Sequence, residues 1–447
     1  MKVEPFIKNL RLFVICFLVL SPFQYFGSNR NEETHKGVGI SIIVDVGQVD
    51  DVLNFLSRFG YSKWSIVLTF GLICSGILEN STFVNTIKLY GELLPGLWII
   101  QTETLEGRKA ICDYLIEQWE TYIGYRPYGF FMFQPDTYIA NYLYSQGIYY
   151  IQGYCFDQYA VDWMTMRGGW QQPYYASEKH VLIPKAEGRG IIIFPHLIWD
   201  WRDSFEINHL YNTSPFDAWS IFNENYEQSK NYILSLMNVS LQSVKPFSYF
   251  IVQGEIFGWG GRFKDENLIN FTDLFESIIV NAEKSNANLE TFNETAKWFR
   301  DNFENNPTYS FTYVSPYSNK KCEWYFSPKY RITRYDGYVV GLIEYQKQKE
   351  DPYLTQIAHP DFNKSPNDPD ACVDNSLTFS IDDFGNGQYR APPKYNRFLY
   401  PANLESFPKF YNTIIKILKV MALIQKTFGF LPQNFEKIPC ISLSLNQ

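Results

Sequence analysis

The sequence is short of positive charge and of cysteine, and both shortages exclude classes of function. Lys and Arg number 39 against 47 Asp and Glu, giving a formal net charge of -8 and a pI near 5.3. Nucleic-acid binding requires a basic surface that neutralises phosphates, so nucleic acid is not an expected partner. No internal repeat or low-complexity tract stands out, and the length of 447 residues predicts two domains.

Only seven cysteines are present, and no spacing between them resembles a metal knuckle. Cys74, Cys112 and Cys155 lie in apolar segments, where buried free thiols are usual. If the chain forms one disulfide, Cys322 with Cys372 is the first choice.

Aromatic side chains are plentiful and make up 18% of the residues. Aromatic rings supply rigid core volume, and their faces also stack on the apolar faces of sugar rings. A single aromatic residue is more often part of the core. A cluster of them around acids favours a carbohydrate site instead.

The first 27 residues have the pattern of a secretory signal peptide. Three basic residues precede the apolar run Leu12–Leu20, and small residues follow near Gly27 and Ser28. The run is short for a membrane-spanning helix, so we expect export, with an uncleaved anchor as the alternative. Membrane attachment is expected only through this segment, and the expected location is secreted or cell-surface. Six N-x-S/T sequons fit an exported chain, at Asn80, Asn212, Asn238, Asn270, Asn293 and Asn363.

From Gly37 to about Pro195, short apolar runs alternate with amphipathic segments that end on Gly. This alternation predicts parallel strands with crossover helices, as in a (β/α) barrel or a doubly wound sheet. The clearest predicted helix is 106–123, in which apolar residues recur every four positions before Gly124. The predicted strands are "GISIIVDV", "SIVLTFGL", "LWIIQT", "GFFMFQ", "IYYIQGY" and "GIIIFPHLIWD".

The alternation loosens after Arg202. A strand at 249–259 and a helical stretch at 268–303 are expected to complete or cover the barrel. Beyond Asn305 the sequence has strand-like segments and turn formers, which predict a β-rich accessory domain closed by a helix at about 404–428. The expected division is a signal or anchor at 1–27, a barrel at 28–304 and an accessory domain at 305–447.

Acidic residues occur at the ends of the predicted strands. In a parallel (β/α) barrel, functional side chains sit where strands end and loops begin, so these acids are candidates for a site. Such an Asp also commonly caps the following helix, which is the alternative role of Asp45. The acids are Asp45, Glu103, Asp157, Asp162, Asp200 and Glu255.

Three segments, in this order, resemble the motif series of the polysaccharide deacetylases. They are "IVDVG", "GYRPYGFFMFQPDTYIANYLYSQGIYYIQGYCFDQYAVDW" and "GRGIIIFPH". The resemblance covers roughly residues 38 to 200 and rests on the order of the motifs. It implies a distorted (β/α) barrel, which is the fold class we expect.

The metal site implied by the resemblance is missing its ligands. Family members have an Asp that acts as general base followed by a metal-binding Asp, and here these positions are Asp45 and Val46. Two metal-binding His residues are implied where Gln101 and Leu105 stand. Val and Leu cannot ligate a metal, so we expect neither a metal nor a cofactor. A metal-dependent deacetylase is disfavoured, because it needs the cation to activate water.

Other motif positions are retained in the sequence. Asp45, Arg126, the Asp162–Trp163 pair and His196 stand where the resemblance implies functional residues. We expect Arg126 to orient an acid across the barrel mouth, since its guanidinium fits a carboxylate bidentately. His196 is a catalytic candidate, with a buried, hydrogen-bonded His as the alternative.

The first functional hypothesis is a metal-independent glycan hydrolase. Glycosidic-bond cleavage needs two carboxyl groups that flank the bond. Asp157 and Asp200 are favoured, because "FDQY" and "WDW" surround them with aromatic surface that raises a carboxyl pKa. Glu255 and Glu103 come next, and Asp45 and Asp162 remain candidates.

Two alternatives stay open. The first is an inactive, deacetylase-like protein that binds a polysaccharide or oligosaccharide, with Glu103 and Arg126 as polar contacts. The second is a cell-surface structural or interaction protein that uses the accessory domain for contacts. The aromatic residues expected to bind glycan are Trp163, Trp170, Trp199, Trp201 and Trp259.

Overall fold

A computed structural model gives the fold of most of the chain between residues 34 and 380. The residues described are 34–59, 63–97, 104–132, 135–153, 172–195, 197–198, 200, 203, 211–242, 246–255, 266–335, 338–344 and 377–380. The predicted signal segment and the predicted helix at 404–428 lie outside these ranges. No helix in the described ranges is long and apolar enough to cross a membrane.

Within the described residues, the larger sheet has ten strands. They are β1 (His35–Val44), β2 (Trp64–Thr69), β3 (Gly91–Leu97), β4 (Gly129–Met132), β5 (Tyr150–Gln152), β6 (Tyr174–Ser177), β7 (His180–Pro184), β8 (Ile192–Phe194), β9 (Phe247–Glu255) and β10 (Asn288–Leu289). Helices alternate with the strands. They are α1 (Val49–Leu56), α2 (Phe70–Cys74), α3 (Ser81–Ile87), α4 (Leu105–Ile123), α5 (Thr137–Ser145), α6 (Pro215–Ile221), α7 (Tyr226–Gln242), α8 (Glu266–Lys284) and α9 (Phe292–Asn302).

Seven strands of this sheet run parallel in the order β9-β1-β2-β3-β4-β5-β8. β1 is buried over almost its whole length, as expected of a parallel strand covered on both faces. The predicted alternation of strands and helices is therefore confirmed. The predicted helix at 106–123 is α4, and Gly124 follows it with φ 86°, the left-handed conformation that ends many helices.

The parallel sheet curls on itself. The side-chain amide of Gln152 on β5 donates to Ser41 on β1 at 3.1 Å and to Gln253 on β9 at 3.4 Å. These strands lie four and five places from β5 in the sheet, so the contacts require that the strands face one another across an interior. The fold is a mixed α/β architecture with a barrel-like parallel sheet.

A side chain joins the two ends of this curled sheet. β8 pairs on its far side with the antiparallel hairpin of β6 and β7. Gln172, just before β6, accepts a hydrogen bond from the backbone N–H of Tyr249 at 2.8 Å and donates to its carbonyl at 3.2 Å. An amide side chain thus makes with β9 the two bonds that a neighbouring strand would make.

Three local features differ from the predictions. The strand expected at 97–102 begins six residues earlier, as β3 (Gly91–Leu97), and residues 98–103 lie outside the described part of the chain. The helical stretch expected at 268–303 is divided into α8 and α9 by β10, which pairs with β1. The segment of the β6–β7 hairpin was not predicted as strands.

Strands that follow α9 form a second, antiparallel sheet. In order they are β11 (Tyr309–Val314), β12 (Lys321–Phe326), β13 (Tyr330–Tyr335), β14 (Tyr338–Glu344) and β15 (Leu377–Ser380). Tyr309 donates to the carbonyl of Pro173 at 3.1 Å, which ties β11 to the segment before β6. A domain boundary at 304/305 stays a prediction. Cys322 is buried on β12, and its suggested partner Cys372 lies outside the described residues.

Many of the aromatic residues belong to the core. Trp64, Trp119 and Trp324 are fully buried. At these three positions the aromatic side chain fills the core, which is one of the two roles expected for aromatic residues. Cys112 is buried and carries a free thiol, as expected. The expectation for Cys74 was wrong, since this free thiol is exposed near the end of α2.

Candidate active site at the carboxyl ends of the strands

Asp45 lies directly after β1, at the mouth of the barrel-like sheet. Its Oδ1 atom accepts hydrogen bonds from the hydroxyl of Thr69 at 2.8 Å and from the backbone N–H of Val46 at 2.8 Å. Its Oδ2 atom makes no hydrogen bond with the residues that the structure describes, and the side chain is half-buried. The carboxylate is therefore held through one oxygen, which leaves the other for a ligand.

Asp45 also caps the short turn of 3-10 helix that follows β1, so the alternative structural role is present as well. Side chains alternate along a strand, and Ser41 contacts Gln152 in the interior. Asp45 is four positions after Ser41 and shares its face. Val46 is 43% exposed beside it and offers no atom that could ligate a metal.

Glu255 ends the neighbouring strand. Its backbone pairs with Ile43, two residues before Asp45. Strand spacing and rise therefore put the Cα atoms of Asp45 and Glu255 about 8 Å apart. Two of the acids predicted from the sequence thus lie on adjacent strands at the same end of the sheet.

A buried ion pair joins the elements on either side of β4. Arg108 on α4 donates from Nη1 to Oδ2 of Asp136, and both side chains are buried. Asp136 also caps α5 by accepting from the N–H of Ile139 at 2.8 Å. The guanidinium neutralises this carboxylate, and the pair joins α4 to the start of α5.

Asp200 lies in a different environment from Asp45, because it is fully buried. Its Oδ1 atom accepts from the hydroxyl of Tyr313 on β11 at 2.9 Å and from the backbone N–H of Asp203 at 3.2 Å. Burial raises the pKa of Asp200 to about 7, and the charge of Asp203 raises it as well. The raised pKa agrees with the sequence-based expectation, but its setting is a contact with the second sheet.

Glu92 is a third acid with an altered pKa, and it lies at the opposite end of the barrel. It accepts hydrogen bonds from Ser65 at 2.5 Å and Tyr150 at 3.2 Å, and from the N–H groups of Phe292 at 2.7 Å and Asn293 at 3.0 Å. Burial raises the pKa of Glu92 to about 7 despite these four donors. Glu92 thus joins β2, β3 and β5 to the first turn of α9.

The chain is similar in structure to polysaccharide deacetylase domains. A deacetylase structure from Mycobacterium smegmatis aligns with 61% of this chain and 92% of its own, at 11% identity and a TM-score of 0.40. The Xyl-CE4 domain of a xylanase from the hindgut metagenome of Trinervitermes trinervoides aligns with 61% of this chain and 94% of its own, at 14% identity and a TM-score of 0.32.

A third similar structure is a 4-alpha-glucanotransferase from Thermococcus litoralis. It aligns with 70% of this chain and 67% of its own, at 11% identity and a TM-score of 0.38. No protein-family model and no curated protein matches the sequence.

Arg126 is not at the mouth. It lies between α4 and β4, before the strand begins, and its side chain is exposed. It donates from Nη1 to Glu120 at 2.8 Å and from Nε to the carbonyl of Gln146 at 2.9 Å. The expectation that Arg126 reaches an acid across the mouth is therefore wrong, because its segment enters the sheet from the opposite end.

The remaining candidate residues lie outside the described part of the chain. They are Glu103, Asp157, Asp162, Trp163, Trp170, His196, Trp199, Trp201 and Trp259. Within the described part, no group of three His, Cys, Asp or Glu side chains is arranged to hold a metal ion.

Sequence reasoning missed several residues that shape the site. Thr69 could have been found as the polar residue that ends a buried strand. Asp203 follows Asp200 by three positions, the spacing of neighbours on one face of a helical turn. The pair of Arg108 and Asp136 gave no local signal, since 28 residues separate the partners.

Proposed function

We propose that this protein is an exported, metal-independent glycan hydrolase built on a deacetylase-type barrel. Asp45 and Glu255 serve as the two carboxyl groups. The observation that carries the proposal is the placement of these acids on the adjacent strands β1 and β9, at one end of the sheet. A Cα separation of about 8 Å lets two carboxyl groups flank one glycosidic bond.

The hydrogen bonds of Asp45 support its part in the reaction. Thr69 and the N–H of Val46 fix Oδ1, so that Oδ2 keeps one orientation at the mouth. A fixed carboxylate acts either as nucleophile or as base toward water, depending on its distance from its partner. Glu255 then supplies or removes the proton at the glycosidic oxygen.

This assignment replaces the pair favoured from the sequence. Asp200 is fully buried and bonded to Tyr313, which supports a structural role for its carboxyl group. Asp157 lies outside the described residues and stays a candidate. The order of the motifs in the sequence supports carbohydrate as the substrate class, and Val46 supports the absence of a catalytic metal.

A glycan panel tests this function. The full-length protein, treated with a chelator, is screened for binding and for release of shorter oligosaccharides. We expect cleavage of at least one glycan, and Asp45→Asn and Glu255→Gln should each lower the rate by about 100-fold or more. Both variants should still bind that glycan, since the amides preserve shape.

Asp51→Asn is the matched control, because Asp51 is an exposed acid on α1 and lies six positions from Asp45. Its activity should equal that of the wild type. Binding without cleavage by the wild type would instead favour the glycan-binding alternative. A protein that neither binds nor cleaves any glycan would exclude both.

A further inference from the structure

A pair of buried carboxylates lies where the segment after β8 meets the second sheet. Asp200 and Asp203 are both fully buried, and the N–H of Asp203 donates to Asp200. Ser315, next after β11, donates from its hydroxyl to Oδ2 of Asp203 at 2.5 Å, and the N–H of Ser318 donates to the same oxygen at 3.1 Å. Together with the bond from Tyr313, these contacts fix one oxygen of each carboxylate.

The other oxygen of each carboxylate has no hydrogen-bond partner among the described residues. Oδ2 of Asp200 and Oδ1 of Asp203 are buried, and neither acid forms an ion pair with a basic side chain in the part of the chain that is described. Two negative charges buried side by side repel each other and have lost their hydration. A bound group that compensates them is therefore expected.

A third buried oxygen belongs to the same cluster. The hydroxyl of Tyr232 on α7 is buried within hydrogen-bonding reach of Asp200 and makes no other hydrogen bond with the described residues, and the residue is 4% exposed. Burial raises the pKa of Tyr232 well above its usual range, and the charges of Asp200 and Asp203 raise it further. The hydroxyl is thus neutral and lies close to both acids.

The number and kind of these atoms favour a cation as the compensating group. One proton shared by the two acids, together with a hydrogen bond from the Tyr232 hydroxyl, would still leave one negative charge. A divalent cation would neutralise both carboxylates and accept all three oxygens as ligands. Every donor is oxygen, and oxygen ligands with carboxylates are characteristic of hard cations such as Ca²⁺.

We propose that Asp200, Asp203 and Tyr232 form a binding site for a hard divalent cation of the calcium type. The cation would tie the segment after β8 to α7, while Tyr313 and Ser315 attach the same acids to β11 and its turn. The inference rests on Asp200, Asp203 and Tyr232 and does not depend on the proposed function.

Two measurements on the full-length, chelator-treated protein test the site. Titration with Ca²⁺ should raise the Tm of the wild type by about 2 °C or more once the cation is in hundredfold excess over its Kd. Tb³⁺, which replaces Ca²⁺ and is excited by nearby tyrosines, should give a luminescence that Ca²⁺ competes away. Asp203→Asn should lose both responses, and Asp301→Asn, an exposed acid on α9, should keep both.

The same measurements can contradict the cation site. If millimolar Ca²⁺ changes neither Tm nor luminescence in the wild type, the cation site does not exist. In a Glu92→Gln background, which removes the titration of Glu92, a Tm that responds to pH between 5 and 8 but not to Ca²⁺, and that loses this response when Asp203→Asn is added, would then identify a shared proton as the compensating group. Should Asp203→Asn fail to fold, the Tb³⁺ titration of the wild type still decides between the two outcomes.

Discussion

Asp45 combines two roles that its position in the sequence suggested separately. It caps the turn after β1, and it holds one carboxylate oxygen at the barrel mouth without a partner among the described residues. The cap bond alone would leave the side chain free to rotate about its long axis. The second bond, from Thr69, removes that freedom, so the orientation of Asp45 depends on a neighbouring strand.

Removing the hydroxyl of Thr69 tests this dependence. Thr69→Val should lower the rate of glycan cleavage by about tenfold and the free energy of unfolding by about 1 kcal/mol, because one hydrogen bond to a buried hydroxyl is lost. Thr121→Val is the control, since the Thr121 hydroxyl is exposed and bonds only within α4. Enzyme kinetics measure the rate of glycan cleavage, and urea unfolding measures the free energy of unfolding. Equal rates for Thr69→Val and the wild type would show that this bond does not position Asp45.

The ion pairs Arg108–Asp136 and Arg126–Glu120 differ in burial and therefore in their contribution to stability. Arg108→Met should lower the free energy of unfolding by about 3 kcal/mol or more, because it leaves the buried carboxylate of Asp136 uncompensated. Arg126→Met should cost at most about 1 kcal/mol, since its pair with Glu120 is exposed. Chemical denaturation measures both. Similar losses for the two variants would contradict the burial that distinguishes them.

At the scale of elements, Glu92 connects the parallel sheet to the helix beneath it. The carboxyl bonds β2, β5 and the first two N–H groups of α9, so its ionisation affects how these elements pack. The folded state holds the proton of Glu92 more tightly than the unfolded chain does, because burial raises its pKa from 4.5 to about 7. The resulting stabilisation is complete below pH 4.5 and disappears as the pH rises through 7.

The titration of Glu92 makes the free energy of unfolding depend on pH. Between pH 4.5 and pH 8 the free energy of unfolding of the wild type should fall by about 3 kcal/mol more than that of Glu92→Gln. Glutamine keeps the shape and an acceptor oxygen but cannot titrate. Because all other ionisable groups are the same in the two proteins, the difference between their pH profiles reports Glu92 alone. Urea unfolding at four or five pH values measures the difference. Parallel pH profiles for the two proteins would contradict a raised pKa.

Elements with a strong local pattern were predicted correctly, and elements determined by distant partners were not. β1 and α4 have continuous apolar or four-residue periodic patterns, and both were found. The start of β3 was missed because its sequence "GELLPGL" contains Pro95 and two glycines, which argue against a strand. Its neighbours β2 and β4 impose the extended conformation. β10 has two residues and exists only through its pairing with β1.

At the scale of the whole molecule, the sequence predicted where the strands of the sheet end better than it predicted what surrounds the acids there. The alternation of strands and helices fixes the edge of the sheet at which Asp45 and Glu255 lie. The setting of each acid depends on contacts far away in sequence. Asp200 is hydrogen-bonded to Tyr313, which lies 113 residues away in sequence. No local sequence pattern predicts such a contact.

The central claim is that the barrel mouth cleaves glycosidic bonds without a metal. Mass spectrometry of the products formed from an acetylated oligosaccharide, incubated with the chelator-treated protein, tests it most directly. We predict shorter oligosaccharides that keep their acetyl groups, in amounts that Asp45→Asn reduces by about 100-fold. Full-length oligosaccharides that have lost acetyl groups, formed only when a divalent metal is restored, would contradict the account.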